Sequence, residues 1–164
     1  VIIGHSKRRE IGETNKEVNQ KIKDSLSAGL APILCVGENM RDEKHDYFQF
    51  VKTQVVESLE GVSKDSLQKI TLAYEPIWSI STTPNYQNAT TRDSEEMTLF
   101  IKKTLADKFG VKTKIQRIIY GGDVNEKNAR DFLKDGGVEG VLIGRMSLDA
   151  EQFAEITSIA EKIS

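Results

Sequence analysis

The sequence predicts a parallel α/β fold, because apolar strand-like segments alternate with amphipathic helices along the whole chain. Five short apolar segments have the composition of buried strands, and helical segments of about ten to fifteen residues separate them. The length of 164 residues fits one domain, so residues 1–164 are interpreted as a single unit. Strands joined in this way form right-handed parallel crossovers, which leaves either a doubly wound open sheet or a barrel.

The first half of the chain begins with an apolar strand over residues 1–4. Residues 18–26 carry apolar side chains four positions apart, which predicts an amphipathic helix that ends at Gly29. Residues 31–36 are the second predicted strand. Residues 47–59 again have helical period, with one continuous apolar face.

The second half continues the alternation with a third strand over residues 70–74. Asp93 or Ser94 is predicted to cap a helix that runs to Phe109 and ends at Gly110. The remaining predicted elements are a strand over residues 117–120, a helix over 126–134, a strand over 141–143 and a helix over 150–163 capped by Asp149.

The carboxyl ends of all five predicted strands carry polar residues or glycines, which favours a barrel. These ends are His5-Ser6, Gly37-Glu38, Glu75-Pro76, Gly121-Gly122-Asp123 and Gly144-Arg145. A doubly wound sheet often has a glycine-rich phosphate turn after its first strand, and GHSK at residues 4–7 is not one. Since a closed barrel of this type has eight strands, five units leave it open.

Glu75 is the first candidate for chemistry, because it follows a buried strand directly. A dry, unpaired carboxylate at such a place costs several kcal/mol. Pro76 ends the strand at once and holds the carboxylate at the strand mouth, as a general base requires. The alternative is a structural glutamate paired with a nearby Lys or Arg, and the motif alone favours neither.

Composition excludes several classes of partner. The 23 Lys and Arg residues nearly balance 25 Asp and Glu, for a net charge of −2, which gives no support to a nucleic-acid or membrane-surface binder.

Cys35 is the single cysteine, so a reducing, cytoplasmic compartment is expected. No membrane-spanning run or secretory signal is visible. The chain starts at Val1 without Met, so we expect a segment that was removed upstream or lies on another polypeptide.

Four motifs occur in an order and spacing that resemble triosephosphate isomerases. They are VIIGHSKRR at residues 1–9, ILCVGE at 33–38, AYEPIW at 73–78 and YGGDV at 120–124. The resemblance implies an incomplete parallel (β/α) barrel of TIM type, with five of the eight βα units, from the fourth strand onward. The family's active-site lysine would lie in the missing units.

The resemblance also implies an aldose–ketose isomerase that interconverts dihydroxyacetone phosphate and glyceraldehyde 3-phosphate through an enediolate. The substrate would be a small phosphorylated triose, and no cofactor or metal would be needed. Glu75 would move the proton, and His5 would polarise the carbonyl as a neutral imidazole. Ser6 and Glu13 would support them. Without the resemblance, a lone histidine like His5 is more often structural.

Phosphate binding is expected from glycine turns and their neighbours. The implied phosphate-binding residues are Ser81, Gly121, Gly122, Asp123, Gly144 and Arg145. Asp123 stands where the family usually has serine, and its charge would repel a phosphate. Arg145 stands where the family usually has glycine. It is expected to pair with Asp123, to hold the phosphate or to point to solvent.

The segment over residues 79–84 takes the place of the family's lid, but it has none of the expected glycines. Lys7 also departs from the family, which usually has a glutamate there. Trp78 is predicted to anchor the lid base, whereas Gly37 and Glu38 are predicted to mark only a strand end. An ordinary polar surface loop is the alternative to a lid.

Two main functions remain open, and Asp123 and Arg145 also leave open a relative that uses a different phosphorylated sugar. The first is the carboxyl-terminal portion of a homodimeric glycolytic isomerase, poorly active alone because the lysine is missing. The second is a non-catalytic assembly module that pairs with another chain through exposed sheet edges. Either a homo-oligomer or association with a missing amino-terminal portion is expected.

Overall fold

The computed structural model describes residues 1–81, 83, 84, 86–110, 115 and 117–163. Its centre is a four-stranded parallel sheet in the order β1-β2-β3-β4. The strands are Ile2–Ile3 (β1), Ile33–Val36 (β2), Thr71–Tyr74 (β3) and Arg117–Tyr120 (β4). Strands that follow one another in the chain are therefore neighbours in the sheet. This is the order of a barrel wall, because a doubly wound sheet reverses direction at its switch point.

The strand register places alternate side chains on opposite faces of the sheet. One face packs against helices, and the other forms the inner, concave side. The row that faces the helices is Leu34, Leu72 and Ile118, and the next row, on the inner side, is Cys35, Ala73 and Ile119. Glu75 follows Ala73 by two positions, so its side chain continues the inner face at the carboxyl end of β3.

Helices cover the outer face in the predicted alternation. They are Ser6–Glu10 (α1), Asn15–Ser27 (α2), Asp46–Ser58 (α3), Lys64–Leu67 (α4), Thr91–Phe109 (α5), Ala129–Asp135 (α6) and Ala150–Glu161 (α7), with 3-10 helices at Ile77–Ser79 and Arg145–Leu148. The sequence did not predict α1, α4 or the two 3-10 helices. None of the described helices has the length and apolarity that a bilayer crossing requires.

Helix α5 starts earlier than predicted, because the cap is Thr90 and not Asp93 or Ser94. The Asp93 N–H donates to the Thr90 hydroxyl at 3.2 Å, and the Thr90 N–H donates to the Asp93 carboxylate at 2.8 Å. This reciprocal pair is a capping box. The other predicted ends agree better: Gly110 is the cap of α5 at φ +100°, and Asp149 caps α7.

The predicted fifth strand over residues 141–143 is reduced to a single parallel bridge between Val141 and Tyr120. The Leu142 N–H donates to the Tyr120 carbonyl at 2.7 Å, but among the described residues the pairing does not extend into a longer ladder. This segment lies on the outer edge of the sheet, and no further described strand pairs with its other side. An unpaired edge between two glycines, Gly140 and Gly144, has little to hold it extended.

Candidate functional site

His5 lies immediately after β1, where Gly4 turns the chain at φ +73° into α1. A Cβ at Gly4 would come within 3.2 Å of the Cys35 carbonyl, so glycine is needed there for close approach as well. The Nδ1 atom of His5 caps α1 by accepting the Lys7 N–H at 3.2 Å. A ring nitrogen that accepts a hydrogen bond carries no proton, so Nε2 bears the proton of the neutral ring.

Glu75 and His5 meet at the carboxyl edge of the sheet, although β2 separates their strands. The distance from His5 Nε2 to Glu75 Oε1 is 3.5 Å. The Ser6 N–H, at the start of α1, donates to Glu75 Oε2 at 3.2 Å. The Glu75 side chain is only 4% exposed, whereas that of His5 is 42% exposed and open to a cavity. The structure thus brings three of the predicted site residues together.

Burial raises the pKa of the Glu75 carboxyl above its ordinary value, although four neighbours act against the shift. In decreasing order these are the charge interaction with His5, the Ser6 N–H, the Cys35 thiol and the charge of Arg9. Burial also raises the pKa of the Cys35 thiol, so Cys35 stays protonated and donates to the carboxylate. A carboxylate with a raised pKa is a stronger base than an exposed one.

Two glycines on neighbouring strands leave room for Glu75. A Cβ at Gly37 would lie 1.8 Å from the Glu75 carbonyl oxygen, and one at Gly121 would lie 2.9 Å from Glu75 Cγ. From the sequence, Gly121 was predicted to bind phosphate and Gly37 to mark only a strand end. In the structure, both glycines contact Glu75.

Arg9 is a residue of this region that the sequence analysis missed. Its guanidinium donates to the Gly4 carbonyl at 2.8 Å, to Asn15 Oδ1 at 2.6 Å and, more weakly, to the Cys35 carbonyl at 3.4 Å. Burial lowers the pKa of Arg9, and the negative charges of Glu13 and Glu75 oppose that shift. The available signal was its position four residues after His5, one turn further along a helix.

Glu13 lies apart from His5 and Glu75, in the segment between α1 and α2. Its side chain is 3% exposed, and it pairs with Arg8 at 3.3 Å and with Lys21. Burial opposes ionisation, but the hydrogen bonds and charges of Lys21 and Arg8 outweigh it and hold the pKa of Glu13 below its ordinary value. The charge of Arg9 interacts with both Glu13 and Glu75.

A cavity of about 690 Å³ opens beside His5. It brings together His5, Ser6, Glu13, Ser81 and Arg145 from the predicted set. The remaining walls come from the helical segments, including Gln54 and Phe50 of α3, and from Ile77, Ile80 and Pro84. A cavity of this size accommodates a small-molecule ligand.

The other predicted phosphate residues lie outside the cavity wall. The Asp123 N–H donates to the Ser79 carbonyl at 3.2 Å, and its Oδ2 accepts the Tyr86 hydroxyl at 3.1 Å. Gly122 packs against the Tyr120 ring, and around Gly144 there is open space. Arg145 starts a 3-10 helix, and among the described residues it makes no ion pair, so the anticipated pairing with Asp123 is not formed.

Glu38 does more than end a strand, so that prediction is wrong. Its side chain is 1% exposed, and its Oε1 accepts the Tyr74 hydroxyl at 2.8 Å and the Trp78 indole N–H at 2.9 Å. Arg41 donates to the same oxygen at 3.2 Å and continues to Asp93 at 2.8 Å. Glu38 thus fastens Trp78, at the start of the predicted lid segment, to the strand ends.

The described part of the chain contains no group of three or more His, Cys, Asp or Glu side chains placed to hold a metal ion.

Comparison with known proteins agrees with the geometry of the strand ends. Residues 1–160 match the sequence profile of the family described as Triosephosphate isomerase. The chain is 40% identical over 161 residues to the triosephosphate isomerase of Thermoanaerobacter pseudethanolicus and 41% identical to that of Caldanaerobacter subterraneus, in each case over 96% of this chain and 64% of the relative. The Dehalococcoides mccartyi enzyme is 43% identical over 95% of this chain and 61% of its own length.

The chain thus spans less than two thirds of the length of these relatives. The matched range nevertheless runs from residue 1 to residue 160. The chain belongs to the triosephosphate isomerase family.

Proposed function

We propose that this chain carries the proton-transfer groups of an isomerase that interconverts dihydroxyacetone phosphate and glyceraldehyde 3-phosphate. The observation that carries the proposal is the 3.5 Å approach of His5 Nε2 to Glu75 Oε1 at one rim of the sheet. Family membership supports the reaction class, since the matched relatives are triosephosphate isomerases.

Glu75 is proposed as the base that removes a proton from one carbon of the triose and returns it to the adjacent carbon. Burial raises its pKa against the opposing effects of His5, the Ser6 N–H and Cys35, and the raised pKa strengthens it as a base. Because Pro76 follows directly, the carboxylate stays at the strand mouth.

His5 is proposed to donate from Nε2 to the substrate oxygen on which negative charge develops. The Lys7 N–H fixes the tautomer by binding Nδ1, and it also lies in the first turn of α1. The neutral ring therefore presents a proton at Nε2, on the side that faces Glu75. Ser6 is proposed to orient the Glu75 carboxylate through its N–H, and Glu13 is proposed to act electrostatically on Arg9.

The phosphate is proposed to lie in the cavity next to Ser81 and Arg145, which share a wall with His5. Arg145 supports this role because its charge is unpaired among the described residues. Gly121, Gly122, Asp123 and Gly144 lie in two turns outside the cavity wall, so their proposed part in phosphate binding is supported by the family resemblance alone. A repelling Asp123 is partly offset here, because its carboxylate accepts the Tyr86 hydroxyl.

The proposal is tested on the native protein that contains this chain, purified from its source and weighed by mass spectrometry. We expect that conversion of glyceraldehyde 3-phosphate, measured by coupling to NADH oxidation, is present and falls by about a thousandfold in Glu75→Gln. The separately purified 164-residue chain should be nearly inactive. A native protein with intact Glu75 and no isomerase activity would refute the proposal.

An assembly module is the second candidate, favoured by the exposed edge of the sheet. Val1, which precedes β1, is 55% exposed, Ile2 on β1 is 53% exposed, and Leu148 in the 3-10 helix after the fifth segment is 88% exposed. Apolar strand edges pair with other chains, so we propose that the isolated chain is a homo-oligomer or binds a missing amino-terminal portion. Sedimentation of the purified chain tests this, and a stable monomer would contradict it.

A further inference from the structure

Gln54 is the residue of the site region that the proposed chemistry does not use. It lies on α3, is 4% exposed and lines the cavity beside His5. Its Oε1 accepts the N–H of Gly37 at 2.8 Å in a fully buried hydrogen bond. A buried side-chain amide that binds a buried main-chain N–H is costly to lose, by about 1–3 kcal/mol.

Gly37 is in turn packed against the main chain of Glu75. The missing Cβ at Gly37 would lie 1.8 Å from the Glu75 carbonyl oxygen and 2.5 Å from its carbonyl carbon. Two hydrogen bonds hold the segments side by side, from the Glu75 N–H to the Val36 carbonyl at 2.8 Å and from the Ile77 N–H to the Glu38 carbonyl at 2.9 Å. Gly37 lies between these two rungs, where its own N–H points away from β3 and towards α3.

We propose that Gln54 is a positioning residue for Glu75. By holding the Gly37 N–H, it fixes the stretch of main chain against which the Glu75 backbone lies. The carboxylate is then kept within reach of the Ser6 N–H and His5 Nε2. This inference rests on the proposed role of Glu75 as the base, but the placement of Glu75 is measurable without any substrate.

The consequence for Glu75 concerns its contact with water. Burial is the largest influence on this carboxyl, and the close fit between Gly37 and Glu75 excludes solvent from its backbone side. Without the Gln54 oxygen, the Gly37 N–H is unsatisfied and turns to find water. The gap that opens hydrates Glu75, and its titration midpoint moves towards that of an exposed glutamate.

The test uses the 164-residue chain labelled with ¹³C at the glutamate carboxyl groups, with Glu75→Gln to assign the Glu75 signal. Gln54→Met keeps the length of the side chain but removes the acceptor. Gln49→Met is the matched control, because Gln49 lies on the same helix and is exposed. We expect the Glu75 titration midpoint to fall by about half a pKa unit or more in Gln54→Met and to stay unchanged in Gln49→Met.

An unchanged midpoint in a folded Gln54→Met chain would overturn the proposal. If that variant does not fold, hydrogen exchange of the Gly37 amide in the unaltered chain decides instead. Protection of roughly a hundredfold or more supports the bond, and exchange at the rate of an open amide overturns it. Neither readout involves isomerase activity, so an inactive native protein would refute the proposed function and leave this inference standing.

Discussion

Two buried carboxylates on either side of Arg9 have opposite surroundings. Glu13 is paired with two flexible cations, Lys21 and Arg8, which hold its pKa below the ordinary value. Glu75 has no lysine or arginine partner among the described residues, and burial raises its pKa. Their side chains are 4% and 3% exposed, but Glu75 is buried as a whole residue whereas Glu13 is only partly buried. Depth and partners together therefore separate the two groups.

This difference separates a carboxylate that stays ionised, Glu13, from one that is suited to accept a proton, Glu75. Glu13 is stable as an anion, because the hydrogen bonds and charges of Lys21 and Arg8 outweigh the burial that favours proton uptake. Glu75 is held by His5, the Ser6 N–H and the Cys35 thiol, and the charge of Arg9 adds the weakest of the four stabilising influences without forming an ion pair with it. Its position depends on main-chain packing against Gly37 and Gly121 rather than on an ion pair. Such a group changes protonation state easily while it stays in place.

The largest expected effect follows from breaking that packing. Gly37→Ala places a Cβ 1.8 Å from the Glu75 carbonyl oxygen, and backbone has to move to relieve the overlap. We expect the free energy of unfolding in urea to fall by about 3 kcal/mol or more. Gly144→Ala is the control, since nothing lies within 4 Å of a Cβ there. Equal losses in the two variants would contradict the packing argument.

Removing the charge of Glu13 should destabilise the chain by less. Glu13→Gln loses the attraction of Lys21 and Arg8, whose side chains are 47% and 56% exposed, so we expect a loss of about 1 kcal/mol at neutral pH. Because the folded-state pKa of Glu13 is lowered, its contribution exists above the ordinary pKa and disappears as the pH falls through the lowered value. Urea unfolding at neutral pH and at about pH 3 measures this. A deficit that persists in acid would contradict an ionic cause.

Much of the fold was predictable because its elements are local. Hydrophobic period and the stop signals at Gly29 and Gly110 predicted the first four strands and the long helices. The prediction of a fifth strand was wrong, because strand pairing depends on a neighbouring strand that the sequence pattern does not show. The cap of α5 was also missed, although Thr90 and Asp93 have the spacing of a capping box.

The candidate site likewise has one part that was predictable from the sequence and one part that was not. His5 and Glu75 were identified from strand ends and from the resemblance, and the structure places them 3.5 Å apart. Contacts between residues that lie far apart in the sequence could not be predicted from the sequence. Gly37 was read as a strand end, and Cys35 only as an indicator of compartment, although both contact Glu75. Whether these residues perform isomerisation stays a prediction.

The opposite sign is expected when the charge of Glu75 is removed. Since its folded-state pKa is raised, its contribution to stability is fully present below the ordinary pKa and is lost as the pH rises through the raised value. At neutral pH the ionised, buried Glu75 is therefore a cost, which Glu75→Gln relieves. We expect the thermal midpoint to rise by about 2–4 °C at neutral pH and to change little near pH 4. A lower midpoint at neutral pH would mean that Glu75, like Glu13, is held as a structural anion.

The smallest effect concerns a third carboxylate, that of Asp123, which is only half-buried and faces Tyr86 at 3.1 Å. Burial raises the pKa of the Tyr86 hydroxyl, and the hydrogen bond and charge of Asp123 raise it further. Asp123→Ser should therefore lower the Tyr86 titration midpoint, followed by phenolate absorbance, while stability changes by less than about 0.5 kcal/mol. Tyr86→Phe identifies the signal. An unchanged midpoint would show that the Asp123 carboxylate does not face the Tyr86 hydroxyl, and its repulsion would then act on any phosphate in the cavity without the partial offset from Tyr86.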